Sequence, residues 1–182
     1  MNDKLFKRNK GCELDVDWVM SQSANTSAIE RRAATLGTRR SIKKDHQAAW
    51  LLRAISCIDL TTLSGDDTPG RVKRLCTKAI RPIRPDLTKA LGINNLHAGA
   101  VCVYHEMIET AIAALGNSGI PVAAVSTGFP AGLSPLTTRL LEINESVLAG
   151  AKEIDIVISR RHVLTQNWQE LFNEVKAFRS AC

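Results

Sequence analysis

Four short apolar runs recur along the chain, and each is followed by a segment with helical spacing. The runs are Ala54-Ile-Ser-Cys-Ile58, Ala98 to Tyr104, Pro121 to Ser126 and Glu153 to Ile158. Behind them, apolar positions take helical spacing around Val72, Leu75 and Ala79, from the second run to about Gly116, from Pro135 to Ala149, and from Trp168 to Phe178. Runs that stay apolar without alternation predict strands buried on both faces. Strand and helix repeated four times predict right-handed βαβ units and a parallel sheet, an α/β fold. Two architectures meet that description. One is an open doubly wound sheet; the other is a (β/α)8 barrel, which needs eight strands and about 250 residues.

Ahead of the first run the pattern is helical only. Residues 13–22, 26–36 and 43–53 read as short helices. Thr26 or Ser27 is the expected N-cap of the second. Ala48, Ala49, Leu51 and Leu52 give the third an apolar face, with Trp50 adding bulk. No Gly/Ser-rich linker follows, so residues 1–53 are expected to form a helical extension that packs on a body of residues 54–182.

The 182 residues are 45% apolar and 23% charged, enough for one domain with a real core and unlike a disordered chain. The opening stretch Met1 to Lys10 is polar and carries no apolar core of a signal peptide. No run of about 18 apolar residues is present, so no membrane span is expected. Cys12, Cys57, Cys76, Cys102 and Cys182 are odd in number, widely spaced and without a C-x-x-C pair. That argues against a disulfide framework or a zinc site and for reduced thiols in a cytoplasmic setting. The net charge of +6 is concentrated upstream, where residues 1–44 hold ten basic against five acidic side chains. The pairs Arg31-Arg32, Arg39-Arg40 and Lys43-Lys44 either meet an acidic partner or form a solvated face. Aromatic residues are only 4%, which leaves no stacking platform for single-stranded nucleic acid.

In both candidate architectures ligands bind at the C-terminal ends of the strands, so the chemistry is sought just after each run. The first run leads into Asp59-Leu-Thr-Thr-Leu-Ser-Gly-Asp-Asp-Thr68, with Asp59 and Thr61 expected where a strand end meets a loop. Asp59 is either a site residue or a loop acceptor. Asp67 or Thr68 suits an N-cap, with Pro69 at the first helical position. After the third run, Ser126-Thr-Gly-Phe-Pro-Ala-Gly132 packs two glycines and a proline into a tight loop. It is neither a P-loop nor a dinucleotide fingerprint; it is a structural turn or a close approach to a small ligand. The fourth run is the most informative. Alternation in Lys152-Glu-Ile-Asp-Ile-Val-Ile-Ser159 puts Ile154, Ile156 and Ile158 on one face, and Glu153, Asp155 and Val157 on the other. Asp155 is then expected to be a buried carboxylate in mid-strand, either functional or part of an interior ion pair. Cys102 lies inside the second run, where a small core residue is the default. His46, His97, His105 and His162 show no metal-ligand spacing, although His105 is placed to cap a helix.

Taken together, these segments resemble the deoxyribose-phosphate aldolases, in their longer animal-type form. The resemblance rests on the Asp59–Thr68 segment, on Ala100-Val-Cys-Val-Tyr104, on Gly128-Phe-Pro-Ala-Gly132 and on Glu153-Ile-Asp-Ile-Val157, with Gln47-Ala-Ala-Trp-Leu-Leu52 upstream. Each motif is weak alone, but the ordered set is specific. It implies a (β/α)8 barrel, of which this chain carries the extension and about four β/α units. It implies a class I aldolase that cleaves 2-deoxy-D-ribose 5-phosphate reversibly to D-glyceraldehyde 3-phosphate and acetaldehyde, with no metal and no cofactor. The implied partner is that phosphosugar, not nucleic acid or membrane, in a possible homo-oligomer. Asp155 matches the family's proton-relaying aspartate. Asp59 and Thr61 match polar residues of the pocket, and Cys102 matches a cysteine lining the barrel. The family's Schiff-base lysine, in a Lys-Thr-Ser-Thr-Gly-Lys segment, its second lysine and its Gly-Gly-x-Arg loop are absent from the sequence. The expectation is that they lie beyond Cys182 and that the 182 residues are the first half of an enzyme or a short non-catalytic form.

Overall fold

A computed structural model describes residues 10–39 and 41–182. Met1 to Asn9 and Arg40 lie outside the described residues, and with them most of the polar opening stretch and one arginine of the second basic pair. The elements run α1 (Val16–Ser21), α2 (Thr26–Ala34), α3 (Lys44–Ile55), β1 (Asp59–Thr61), α4 (Pro69–Ile80), α5 (Pro85–Ala90), β2 (Ala100–Val103), α6 (Ile108–Leu115), β3 (Val122–Val125), α7 (Leu136–Leu148), β4 (Glu153–Asp155), α8 (Arg160–Leu164) and α9 (Trp168–Ala181). The four strands form one sheet in the order β1-β2-β3-β4, and every pair is parallel.

The core sits between the sheet and the helices. Val101 and Val103 of β2, with Val122 and Ala124 of β3, meet Val72, Cys76 and Ala79 of α4 and Ile108, Ala111 and Leu115 of α6. The two central strands are buried along their whole length. Their continuous run of Ala, Val and Cys satisfies both faces at once. In α4 the hydroxyl of Thr68 accepts the Arg71 amide at 3.3 Å and Pro69 takes the first helical position, so the N-terminus is capped as its sequence suggests. Asp67 is used differently, accepting from the Thr62 hydroxyl and the Ser64 amide to close the loop after β1.

The first strand is displaced from its expected place. Ala54 and Ile55 finish α3, Ser56 and Cys57 turn, and the strand begins only at Asp59. The apolar run is a helix end plus a turn, which a short window cannot separate from a strand. Asp59 therefore opens β1 and Thr61 closes it. The fourth strand is shorter than its run: beyond Asp155 the Val157 backbone bonds to the Thr127 hydroxyl and the Ser159 amide to the Glu174 carboxylate in place of a ladder partner. The N-cap of α2 is Asn25, whose side chain accepts from the Ala28 amide at 3.0 Å, one residue before the expected Thr26 or Ser27. The short helices α5 and α8 carry too few residues for their spacing to register in the sequence.

Helices α1, α2 and α3 bury none of their described residues. A contact with the body is made where Trp168 Nε1–H of α9 donates to Met20 Sδ of α1 at 3.2 Å. Among the described residues no helix is long and apolar enough to cross a membrane.

Candidate active site

The parallel register decides which side chains share a face. Thr61 stands opposite Cys102, Cys102 opposite Ala123, Ala123 opposite Glu153, and Val125 opposite Asp155. With side chains alternating along each strand, Asp59, Thr61, Cys102, Ala123, Val125, Glu153 and Asp155 fall on one face of the sheet. Leu60, Val101, Val103, Val122, Ala124 and Ile154 fall on the other, against the helices. Cys102, Ala123 and Val125 form a small apolar centre on the first face, with Leu63 and Tyr104 against it. Acidic side chains flank it on both sides, Asp59 from β1 and Glu153 and Asp155 from β4.

Three separate motifs, spread over almost a hundred residues, thus arrive on one surface. Asp155 stands at the C-terminal end of β4, as a site residue of this architecture must. It is, however, exposed rather than buried. The expectation of an interior carboxylate is corrected here: burial was inferred from the apolar run, but only the helix side of β4 is covered by the described residues. Ile154, on the covered side, is the half-buried member of the strand.

Cys102 reports the character of this face. Burial pushes its thiol above the ordinary cysteine range, and the negative charges of Asp155 and Asp59 push it further. A hydrogen bond with Thr61 and one with the Val125 backbone oppose the shift without cancelling it. A raised pKa means a protonated, weakly nucleophilic sulfur at neutral pH, so Cys102 fits a wall of the pocket and not an attacking group. Cys76, buried in α4, is raised by burial alone. Iodoacetamide at neutral pH is expected to label the exposed Cys12 and Cys57 at least about tenfold faster than Cys76 or Cys102. Peptide mapping checks this, and equal labelling of Cys102 would mean that its thiol ionises readily. Glu153 shares the electrostatics: its carboxyl is pushed above the ordinary glutamate range, first by desolvation against the sheet and then by the charge of Asp59. Glu153 has the same strand parity as Asp155, so its presence on this face was legible from alternation.

The loop after β3 is shaped by close approach. Gly132 has φ +69°, and a Cβ there would lie 2.8 Å from Val157 Cγ1; only glycine satisfies both constraints. The loop is thus packed directly on the segment that follows Asp155. Beneath it lies a buried ionic network that no local pattern announces. Arg139 of α7 and Glu174 of α9, each about 5% exposed, pair at 2.6 Å. Glu174 also accepts from the Ser159 amide at 2.8 Å and from the Ser159 hydroxyl. The Arg139 guanidinium lies 5.2 Å above the Phe178 ring. His105 begins a short 3-10 turn after β2, and its Nδ1 lies 2.7 Å from the Ser146 hydroxyl of α7. Among the described residues no cluster of three His, Cys, Asp or Glu side chains is placed to hold a metal ion.

The parallel β/α fold, with acidic side chains on one face of its sheet, defines the class of architecture, and comparison with known proteins names the family. The pattern of the DeoC/LacD family aldolases matches residues 53–182, and the chain belongs to that family. It is 51% identical to the deoxyribose-phosphate aldolase of Bos taurus over 182 residues, covering 98% of this chain and 57% of the relative. It is 52% identical to the Mus musculus enzyme over 177 residues, with 95% and 56% covered. The chain therefore spans a little over half the length of these curated relatives. Among solved structures, a Coccidioides immitis protein provisionally described as a deoxyribose-phosphate aldolase aligns with TM-score 0.60 at 20% identity, over 92% of this chain and 58% of that one. A tetrameric deoxyribose phosphate aldolase from Aeropyrum pernix aligns with TM-score 0.52 at 23% identity, over 71% and 49%. At those identities the structures bear on the fold alone: the four-stranded sheet and its helices are part of a (β/α)8 barrel.

Proposed function

We propose that this chain forms the β1–β4 wall of the pocket of a deoxyribose-phosphate aldolase, with residues 1–53 as a helical extension on the β/α units of residues 54–182. The observation that carries the reading is the convergence of Asp59, Thr61, Cys102 and Asp155 on one face of the sheet, in a chain about half identical to curated enzymes of that name. The substrate is the open-chain aldehyde of 2-deoxy-D-ribose 5-phosphate. A lysine amine condenses with C1, and the resulting iminium is the electron sink for cleavage. The C3 hydroxyl gives up its proton, the C2–C3 bond breaks, and D-glyceraldehyde 3-phosphate leaves. The remaining enamine takes a proton at C2, and water releases acetaldehyde. Asp155 is the group assigned to carry these protons. Asp59 and Thr61 line the pocket, and Cys102 fills its wall. The setting proposed is cytoplasmic breakdown of deoxyribose phosphate, in a homo-oligomer.

Among the described residues no lysine stands on a strand; Lys152 immediately precedes β4, at the opposite end from Asp155. The amine is accordingly assigned to a part of the relatives' length that this chain does not span. Acetaldehyde and borohydride should leave no reduced adduct on the isolated 182-residue chain. The protein of full family length should be trapped on one lysine and should release acetaldehyde from 2-deoxyribose 5-phosphate. A stable adduct on the 182-residue chain would overturn the placement of the nucleophile, and a full-length protein inert toward this substrate would overturn the activity.

A further inference from the structure

The backbone beyond Asp155 is held at every second residue. The Asp155 carbonyl accepts the Ser126 amide at 2.9 Å, which extends the β3–β4 ladder by one rung. Two residues on, the whole peptide environment of Val157 is taken by one side chain: its N–H donates to Thr127 Oγ1 at 2.6 Å, and the Thr127 hydroxyl donates to its carbonyl at 3.0 Å. Two residues further, Ser159 is fixed by Glu174 of α9, which Arg139 of α7 holds in turn.

Thr127 is an unusual residue for this position. It is fully buried, and its φ is +61°. A β-branched residue in the left-handed region is a steric outlier, and glycine would take that backbone without strain. A threonine here is explained by what glycine lacks, a hydroxyl that donates and accepts at once. Backbone strain of this kind gathers where geometry is held for function.

We infer that Thr127 is a positioning residue: its hydroxyl locks the segment after β4 to the loop after β3 and so fixes where the Asp155 carboxylate stands. This rests on the proposed role of Asp155 as proton carrier. Thr127 touches no reacting atom in this account. It acts through Val157, whose side chain is pressed against the loop at Gly132.

Two substitutions separate the hydroxyl from the volume. Thr127→Val keeps the shape and removes the bridge, and Thr127→Ser keeps the bridge and removes a methyl. In the protein of full family length, Thr127→Val should lower kcat about ten- to a hundredfold, the scale set by small misplacements of a reacting group, with KM within about threefold. Thr127→Ser should stay within about threefold of the parent in both, although both variants lose some thermal stability. In the 182-residue chain, exchange of the Val157 amide should speed up at least about tenfold in Thr127→Val and little in Thr127→Ser. Asp155→Asn is run alongside. If Asp155→Asn is inactive while Thr127→Val turns over like the parent, the positioning role is wrong. It is equally wrong if kcat follows melting temperature across both Thr127 variants, which is the behaviour of a purely structural residue. If Asp155→Asn itself turns over normally, the underlying reading of Asp155 has failed instead.

Discussion

Asp155→Asn in the protein of full family length is expected to lower kcat by about 10²- to 10⁴-fold, the contribution typical of a positioned general acid–base group, with little change in melting temperature. The stability half of this expectation follows from exposure: Asp155 is solvent-accessible at the end of β4 and no ion pair holds its side chain among the described residues. Asparagine has the same shape and still accepts a hydrogen bond, but it cannot take up a proton. A second consequence is visible without turnover. The Asp155 charge helps to hold the Cys102 thiol in its protonated form, after burial. Removing that charge should lower the thiol pKa and quicken alkylation of Cys102 in the isolated chain, while Cys76, which does not feel Asp155, keeps its rate. Near-parent turnover would remove Asp155 from the mechanism. An unchanged Cys102 rate would show that the two side chains do not share the face described.

How much of this was legible in the sequence differs element by element. The central strands β2 and β3 were plain, because a strand buried on both faces must be apolar throughout, and Ala100 to Val103 and Val122 to Val125 are. The edge strands were not plain. Two of the five residues of the first run belong to the end of α3, since a helix terminus and a short strand look alike over five residues. In β4, alternation correctly set Asp155 and Glu153 apart from Ile154. Burial of Asp155 did not follow, because apolar neighbours on one face say nothing about what covers the other. The candidate residues were individually visible, Asp59 and Thr61 as polar groups at an expected strand end, Asp155 as a carboxylate in mid-strand and Cys102 as a small group inside the second run. Their meeting was not, since it depends on parallel register between segments forty and fifty residues apart. The supporting interactions were the least visible. Arg139, Ser159 and Glu174 look like ordinary surface residues of amphipathic helices and a loop, and only the packing of α7 on α9 takes them out of water. Thr127 gave a faint signal, a β-branched residue beside Gly128 in a loop that needs a left-handed turn, but nothing local says that its hydroxyl would meet Val157.

Glu174→Ala should destabilise the chain by about 3–5 kcal/mol, because it leaves Arg139 buried without its counter-charge. The Ser159 amide and hydroxyl lose their acceptor in the same step. For a chain of this size that corresponds to a fall in melting temperature of about 6–20 °C, readable by circular dichroism. The size comes from stranding a charge, not from the worth of the pair. Replacing both partners together, as Arg139→Met with Glu174→Leu, should therefore cost much less than the single change. Acid should expose the same logic. Burial raises the Glu174 pKa, but the hydrogen bonds from the Ser159 hydroxyl and amide, together with the bond and charge of Arg139, outweigh it and leave the carboxyl below its ordinary range. A carboxyl with a lower pKa in the folded state binds fewer protons there than in the unfolded state. Its contribution is thus complete above the unfolded glutamate pKa of about 4.3 and is lost as the pH falls through the folded value. The stability gap between the parent and Glu174→Ala should be constant near neutrality and should narrow on acidification below about pH 4, because protonation strands Arg139 in the parent as the substitution already has in the variant. A gap that stays wide in acid would mean that Glu174 contributes through packing alone. A gap under about 1 kcal/mol at pH 7, the median for exposed pairs, would mean that water reaches Arg139 freely and that the buried network does not hold the segment beyond Asp155.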